Sequence, residues 1–167
     1  MPKWWLTVRD GVALVNAGID ESNADGKLVL LPKDSFASAA KLRKQLMKIY
    51  RVKKLGVVIT DSRVAPLRAG VTGVALGYAG FKGIRDYRGQ GDIFGRTLEV
   101  TQTNIADCLA TAAVLLMGEG NEQCPLAVIE NLPAGRQARL VEFTERVNRR
   151  ELQIPMKDDL YKRLFRK

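Results

Sequence analysis

Apolar residues recur at helical spacing in two stretches of this chain and gather into short runs elsewhere, which separates helices from strands before any chemistry is considered. Phe36, Ala39, Leu42, Leu46 and Ile49 fall on one face of a helix that ends near Tyr50, with Asp34 or Ser35 as its N-cap. Lys41, Arg43, Lys44 and Lys48 belong to its wet side. A second helix, rich in Ala and Leu, runs from a cap at Thr103 or Asn104 to Met117. With the cap at Asn104, Asp107 occupies the third helical position, where a carboxylate favours the helix dipole. Apolar runs at Gly11–Ala17, Leu28–Leu31, Leu55–Thr60, Thr97–Gln102 and Pro125–Glu130 predict strands. Val71–Phe81 carries five Gly or Ala residues among larger apolar ones, so it is a strand in close backbone contact or a glycine-rich turn region. After the breaker Leu132-Pro-Ala-Gly135, two further helical patterns cover about 137–151 and 157–165.

The resulting order, β-β-α-β-β-β-α-β-α-α, predicts an α+β (mixed α/β) domain with a compact mixed sheet and C-terminal helices, not a doubly wound sheet. Residues 1–135 form the expected core and 136–167 a basic helical appendage of the same domain. With 167 residues, one domain is the default. No apolar run is long enough for a membrane span, and MPKWWLTVRDG lacks the apolar stretch of a signal peptide, so the expected compartment is the cytoplasm.

Composition narrows the chemistry. Histidine is absent, which removes Ser-His-Asp and Cys-His nucleophiles and His-based zinc sites from this chain's own residues. The two cysteines, Cys108 and Cys124, make neither a disulfide framework nor a zinc site, and Cys108 reads as a small core residue. Carboxylates, Lys and Arg, hydroxyls, main-chain groups and hard metal ions remain. The net charge of +9 raises a nucleic-acid reading, but about half of the excess lies in 136–167, with ten basic and five acidic residues. No aromatic RNA-binding motif accompanies it, and a basic surface equally suits a polyanionic nucleotide.

Three acids stand where a phosphate and metal site needs them, at element ends among small polar residues: Asp20 in GIDESN, Asp61 in ITDS and Glu119 in MGEGNE. Magnesium or manganese takes hard oxygen ligands and shares its shell with phosphates, so two carboxylates with the Ser62 hydroxyl can serve one or two ions. The turn Gly118-Glu119-Gly120-Asn121 can bring amides close to a phosphate. The plainer reading makes Asp61 a strand-end turn residue and Gly118 a helix C-cap.

NAGIDESN, GVVITDS, RAGVTGVALGYAGF, DIFGRTLEVT and MGEGNE, in this order from about Asp10 to Leu132, closely resemble the coenzyme F-420 γ-glutamyl ligase family. GYAGFKGIRDYRGQGDIFGR is similar to a bacterial branch described as folate-type γ-glutamate ligases. The resemblance implies that family's mixed α/β fold and an enzyme joining L-glutamate to an acceptor carboxylate of a deazaflavin or folate-like precursor. It implies GTP or ATP as co-substrate, Mg2+ or Mn2+, an acyl phosphate, and a homodimer. By position it implies Asp20, the pair Asp61-Ser62 and Glu119 as metal ligands, Asn23 as a nucleotide contact, and nucleotide contacts within Leu115–Glu122, which holds Gly118, Gly120 and Asn121. Arg68 and Arg96 are candidates to grip phosphate or carboxylate, or equally to pair with Asp86 or Asp92. Family members usually carry a nucleotide-binding segment ahead of the match, where this sequence has only Met1–Arg9. Three expectations follow: a fragment, a split protein completed by a separate chain, or a reduced homologue that binds nucleotide or a partner without catalysis. Trp4-Trp5 then reads as a docking surface or as part of the domain's own core.

Overall fold

The computed structural model describes residues 4–132 and 141–165. Among these described residues, two α-helices and six strands form an α+β arrangement in which each sheet has two strands. Strands β1 (Leu6–Arg9) and β2 (Val12–Val15) make an antiparallel hairpin that leads through a 3-10 turn at Asn16–Gly18 into the Asp20 loop. Helix α1 spans Ser35–Tyr50; the Asp34 carboxylate accepts the Ala37 N–H at 2.8 Å, the expected N-cap. Strands β3 (Val57–Val64) and β4 (Val71–Ala79) form the central antiparallel ribbon, with a bulge between Ile59 and Thr60. The short pair β5 (Ile84–Asp86) and β6 (Gln102–Asn104) precedes α2 (Ile105–Met117).

The N-terminus of α2 is closed by Asn104 and Asp107 reciprocally. Asn104 Oδ1 accepts the Asp107 N–H at 3.0 Å, and Asn104 Nδ2 donates to Asp107 Oδ2 at 2.9 Å. Asp107 Oδ1 also takes the Ala75 N–H at 3.0 Å, and one turn later Thr111 Oγ1 donates to the Gly73 carbonyl at 2.9 Å. These two β4 groups point away from β3, so α2 covers an edge that would otherwise be left unpaired.

Both helices approach β4 at glycines. A Cβ on Gly77 would lie 2.5 Å from the Ser35 carbonyl carbon and 2.6 Å from the Phe36 nitrogen. One on Gly73 would press into the Ala110–Thr111 backbone of α2. The small residues of Val71–Phe81 thus belong to a strand gripped by two helices, the first of the two expected readings. Ala75, Tyr78 and Phe81 join Ile105, Ala106 and Ala110 as the main core cluster, with Phe36, Val58 and Leu109 against it. The Tyr78 ring packs tilted against its neighbours, its centroid 5.2 Å from that of Phe36 and 5.1 Å from that of Phe81.

Several expected boundaries are corrected. The run beginning at Leu55 does not stop at Thr60: Asp61 and Ser62 continue β3, opposite Val74 and Gly73, because pairing with β4 carries the extended backbone past the polar residues. Leu28–Leu31 makes one bridge, Val29 to Asp20, rather than a strand. Thr97–Gln102 returns in an irregular ladder, and only Gln102–Asn104 pairs regularly. Pro125–Glu130 is not assigned as a strand, while β1 and β5 had no clear sequence signal. Arg43 is half-buried rather than on a wet face: Nε donates to the Leu55 carbonyl at 2.8 Å, and the guanidinium grips Glu145 at 2.6 and 2.7 Å. Cys108 is exposed rather than in the core.

The expected C-terminal helices are also corrected. Among the described residues after α2 there is only a 3-10 turn, Lys162–Phe165; residues 137–140 of the first pattern lie outside those described. Long-range pairing overrides helical spacing here. Lys82 N–H donates to the Glu142 carbonyl at 2.8 Å and Thr144 N–H to the Gly80 carbonyl at 3.0 Å, while Val141, Val147 and Leu152 pack on the core. Glu151 Oε1 accepts the Tyr78 hydroxyl and, at 2.6 Å, the Gly83 N–H. Burial, then the Glu151 bond and charge, hold the Tyr78 phenol far above its ordinary pKa. Tyr78→Phe is expected to cost about 1.5–3 kcal/mol, the range for hydrogen bonds to charged groups, read from urea unfolding. A change below about 0.5 kcal/mol would count against this bond as a structural tie.

Candidate functional site

The Asp20 loop is shaped by left-handed residues, with φ of 51° at Asn16, 57° at Ala17 and 51° at Asn23. Such values suit Asn and are uncommon for Ala, so the loop's course depends on its anchors. Thr7 Oγ1 supplies one by accepting the Ala17 N–H at 2.8 Å, and Asn16 and Trp5 bond reciprocally at 2.8 and 3.1 Å. Asp20 then exchanges main-chain bonds with Val29 at 3.1 and 2.8 Å, fixing the loop's exit.

Within the loop, the Asp20 carboxylate accepts the Ser22 N–H and the Ser22 hydroxyl, each at 2.8 Å. The Ser22 N–H, with the hydroxyl adding to it, holds the Asp20 pKa below the usual carboxylate value, so Asp20 stays ionised. Asn23 Nδ2 donates to the Gly120 carbonyl at 2.9 Å, clasping this loop to the turn after α2. That turn begins at Gly118 (φ 77°), whose N–H returns to the Val114 carbonyl at 2.9 Å. Gly120 N–H is held by Glu122 Oε2 at 2.7 Å. Gly118 is thus a helix C-cap, as the plainer reading expects, and also part of a site wall.

The two loops enclose an open cavity of about 690 Å3. Asp20, Ser22 and Asn23 stand on one side, and Gly118, Glu119, Gly120 and Asn121 on the other. Asp61, on β3, is not among the residues lining the cavity, but it lies near enough to Asp20 to feel its charge. Burial raises its pKa most, and the nearby negative charge of Asp20 raises it further, against a 2.8 Å bond from the Ser62 N–H. As successive strand residues, Asp61 and Ser62 send their side chains to opposite faces of the ribbon. Asp20 lines the cavity, and Asp61 on β3 feels the Asp20 charge, an opposition that a bound divalent cation would relieve. The donors on offer are all oxygens, as Mg2+ and Mn2+ prefer. Among the described residues, no three His, Cys, Asp or Glu side chains are already gathered around one metal position. Such an ion would need phosphate or water oxygens to complete its shell, the usual arrangement for Mg2+.

Arg68 and Arg96 lie away from this cavity. Arg68 belongs to the β3–β4 turn, its N–H donating to the Ala65 carbonyl at 3.3 Å. Arg96 closes the Asp92 turn through its main chain, its N–H to Asp92 Oδ1 at 2.9 Å. Asp86 is taken by Arg88 instead, which draws its pKa down to about 2. Sequence reasoning missed Ser22 as a wall residue and reached Glu122 only as the end of the segment Leu115–Glu122. An Asp followed two residues later by Ser is a readable local hydrogen-bonding motif, whereas the Glu122–Gly120 bond has no comparable signal.

Residues 4–131 match the family described as F420-0:Gamma-glutamyl ligase. A coenzyme F420:L-glutamate ligase of Methanopyrus kandleri is 43% identical over 126 residues, 75% of this chain and 50% of the relative. For the Archaeoglobus fulgidus protein of the same name the figures are 42% over 134 residues, 80% and 53%. The Methanosarcina mazei protein is 44% identical over 132 residues, 78% and 52%. The chain thus spans about half the length of the curated relatives it matches.

Proposed function

The chain belongs to the F420-0:Gamma-glutamyl ligase family, and from that premise we propose that it carries the metal- and nucleotide-binding part of a γ-glutamyl ligase. One observation supports this most. Asp20, kept ionised by Ser22, lines a cavity whose far wall is the glycine turn 118–121, and its negative charge reaches Asp61 on β3, whose pKa burial already raises. Asp20 and Asp61 would hold Mg2+ or Mn2+, with Glu119 facing them and Ser62 contributing through the N–H that orients Asp61. When bound, the ion would neutralise triphosphate charge and orient the terminal phosphoryl group. Gly118, Gly120 and Asn121 would approach the phosphates, and Asn23 keeps their wall in place. Arg68 and Arg96 stay outside this reading.

In the proposed reaction the acceptor carboxylate attacks the γ-phosphorus of GTP or ATP, displacing the nucleoside diphosphate and forming an acyl phosphate. The L-glutamate amine then attacks the acyl carbon, phosphate leaves, and the nitrogen gives up a proton. The acceptor class is a deazaflavin or folate-like carboxylate. Cytoplasmic location and a homodimer belong to the same proposal; among the described residues no helix is long and apolar enough to cross a membrane.

Mn2+ with GTP or ATP at about a hundredfold excess over Kd is expected to raise the Tm by roughly 5–10 °C. With L-glutamate and either acceptor class, mass spectrometry should find an adduct of the acceptor mass plus one glutamyl unit. No thermal shift with either triphosphate would overturn the nucleotide reading. A shift without adduct would count against the ligase reading and for a homologue that binds nucleotide without ligation.

A further inference from the structure

We infer that the outer face of α1, with the turn that follows it, is a docking surface for an anionic lipid bilayer. No acidic residue stands between Asp34 and Asp61, whereas basic ones recur there: Lys41, Arg43, Lys44, Lys48, Arg51, Lys53 and Lys54. Arg43 is held by Glu145 and the Leu55 carbonyl. The other six are exposed, and among the described residues none of them forms an ion pair. Lys41, Lys44 and Lys48 follow one another at spacings of three and four, so they share one stripe of the helix and repel each other. The helix dipole favours Lys48 at the C-terminal end but offers nothing to Lys41 and Lys44 in mid-helix. Arg51 is a second, independent sign. It closes α1 in the left-handed region, at φ 53° and ψ 33°, where glycine is the usual and unstrained residue. A cation therefore stands there at a conformational cost, and no ion pair among the described residues offsets it.

The groups beside these cations select lipid over nucleic acid. Leu42 and Ile49, seven residues apart, form an apolar stripe about 100° round the helix from Lys41 and Lys48. Ile49 is 68% exposed, Tyr50 70%, Leu42 42% and Val52 39%. A basic helix with bare aliphatic groups next to its charges suits the boundary between headgroups and acyl chains. There the aliphatics enter the hydrocarbon and a tyrosine sits at headgroup level. Single-stranded nucleic acid calls for aromatic platforms, and here one tyrosine stands among three aliphatic residues. Clusters of about four to eight cations on such a helix attract anionic lipid, and the bare cations of this face fall within that range. None of these residues lines the Asp20 cavity, so the inference is independent of the ligase reading.

The test uses the whole chain with vesicles of phosphatidylcholine alone and of phosphatidylcholine mixed with phosphatidylglycerol. The chain should sediment with the mixed vesicles only, and less so as added salt screens the charges. Arg51→Gly should lower the partition coefficient about fivefold, the effect of one cation at the surface. Its Tm should hold or rise, because the left-handed turn is relieved. Lys44→Glu combined with Lys48→Glu should abolish sedimentation while the circular dichroism spectrum stays the same. Ile49→Ser should weaken vesicle binding as well, which a purely electrostatic site would not show. Equal binding to both kinds of vesicle, or binding to neither, would overturn the inference. An unchanged partition in Arg51→Gly or in Ile49→Ser would do the same. So would a short oligonucleotide that strips the chain from the mixed vesicles and binds Ile49→Ser undiminished, because the face would then serve nucleic acid.

Discussion

Asp61→Asn is expected to abolish the thermal shift produced by manganese with GTP or ATP, while the ligand-free protein at neutral pH becomes no less stable. The reason lies in the direction of the Asp61 pKa. Burial and the neighbouring Asp20 charge place it above the ordinary carboxylate value. A carboxyl raised in the folded state costs nothing below its unfolded pKa, where both states are protonated. Its cost appears as pH rises toward the folded value and is fully present above it. Asparagine keeps the shape and removes that cost, along with the charge a cation needs. Losing a ligand that contacts the ion should exceed the 10–100-fold typical of outer-shell changes, so any ligase kcat/KM should fall by about a hundredfold or more. The same direction sets a pH dependence. On acidification protons reach Asp61 first, because Asp20 is held low by Ser22, so the metal-induced shift should begin to fade above the ordinary aspartate pKa. Thermal scans of both proteins with and without metal and nucleotide, from pH 7.5 downward, measure this. An undiminished shift in Asp61→Asn would remove Asp61 from the site.

The second large effect concerns the ribbon under the site. Gly77→Ala is expected to cost about 3 kcal/mol or more, the upper range for overpacking, because the new methyl meets backbone atoms of Ser35 and Phe36 that cannot rotate away. The first turn of α1, capped by Asp34, would have to lift from β4. Gly91→Ala is the control: its Cβ would find its nearest neighbour at 3.5 Å, an ordinary contact, and it should be close to neutral. Urea unfolding of both variants separates the outcomes. Equal stabilities would show that the glycine at 77 does not govern how closely α1 packs.

What the sequence revealed follows the range of the forces concerned. Both helices were legible because their start signals are local: Asp34 caps Ala37, and Asn104 with Asp107 close α2 within one turn. The loop at Asp20 and the turn at 118–121 were legible as punctuation, and the structure brings their residues to one cavity. Their clasp, Asn23 to Gly120, joins positions 97 apart and has no local signature. Asp61 was misread as a strand end because polarity interrupts the apolar run, whereas pairing with Val74 keeps the backbone extended. The C-terminal segment was misread for the same kind of reason: its apolar spacing mimics a helix, but Glu142 and Thr144 bond across to Lys82 and Gly80.

The Glu151 carboxylate has a consequence for how the chain is made. A ribosome delivers residues from the N-terminus at roughly 5–20 per second. The Tyr78 hydroxyl and the Gly83 amide therefore leave the exit tunnel several seconds before the one acceptor that joins them. Until then the nascent core has a polar gap at its centre, and Tyr78 must remain wet or find a temporary partner. Translation speed between the codons of Gly83 and Glu151 should thus set how long this protein dwells half-closed and exposed to chaperones.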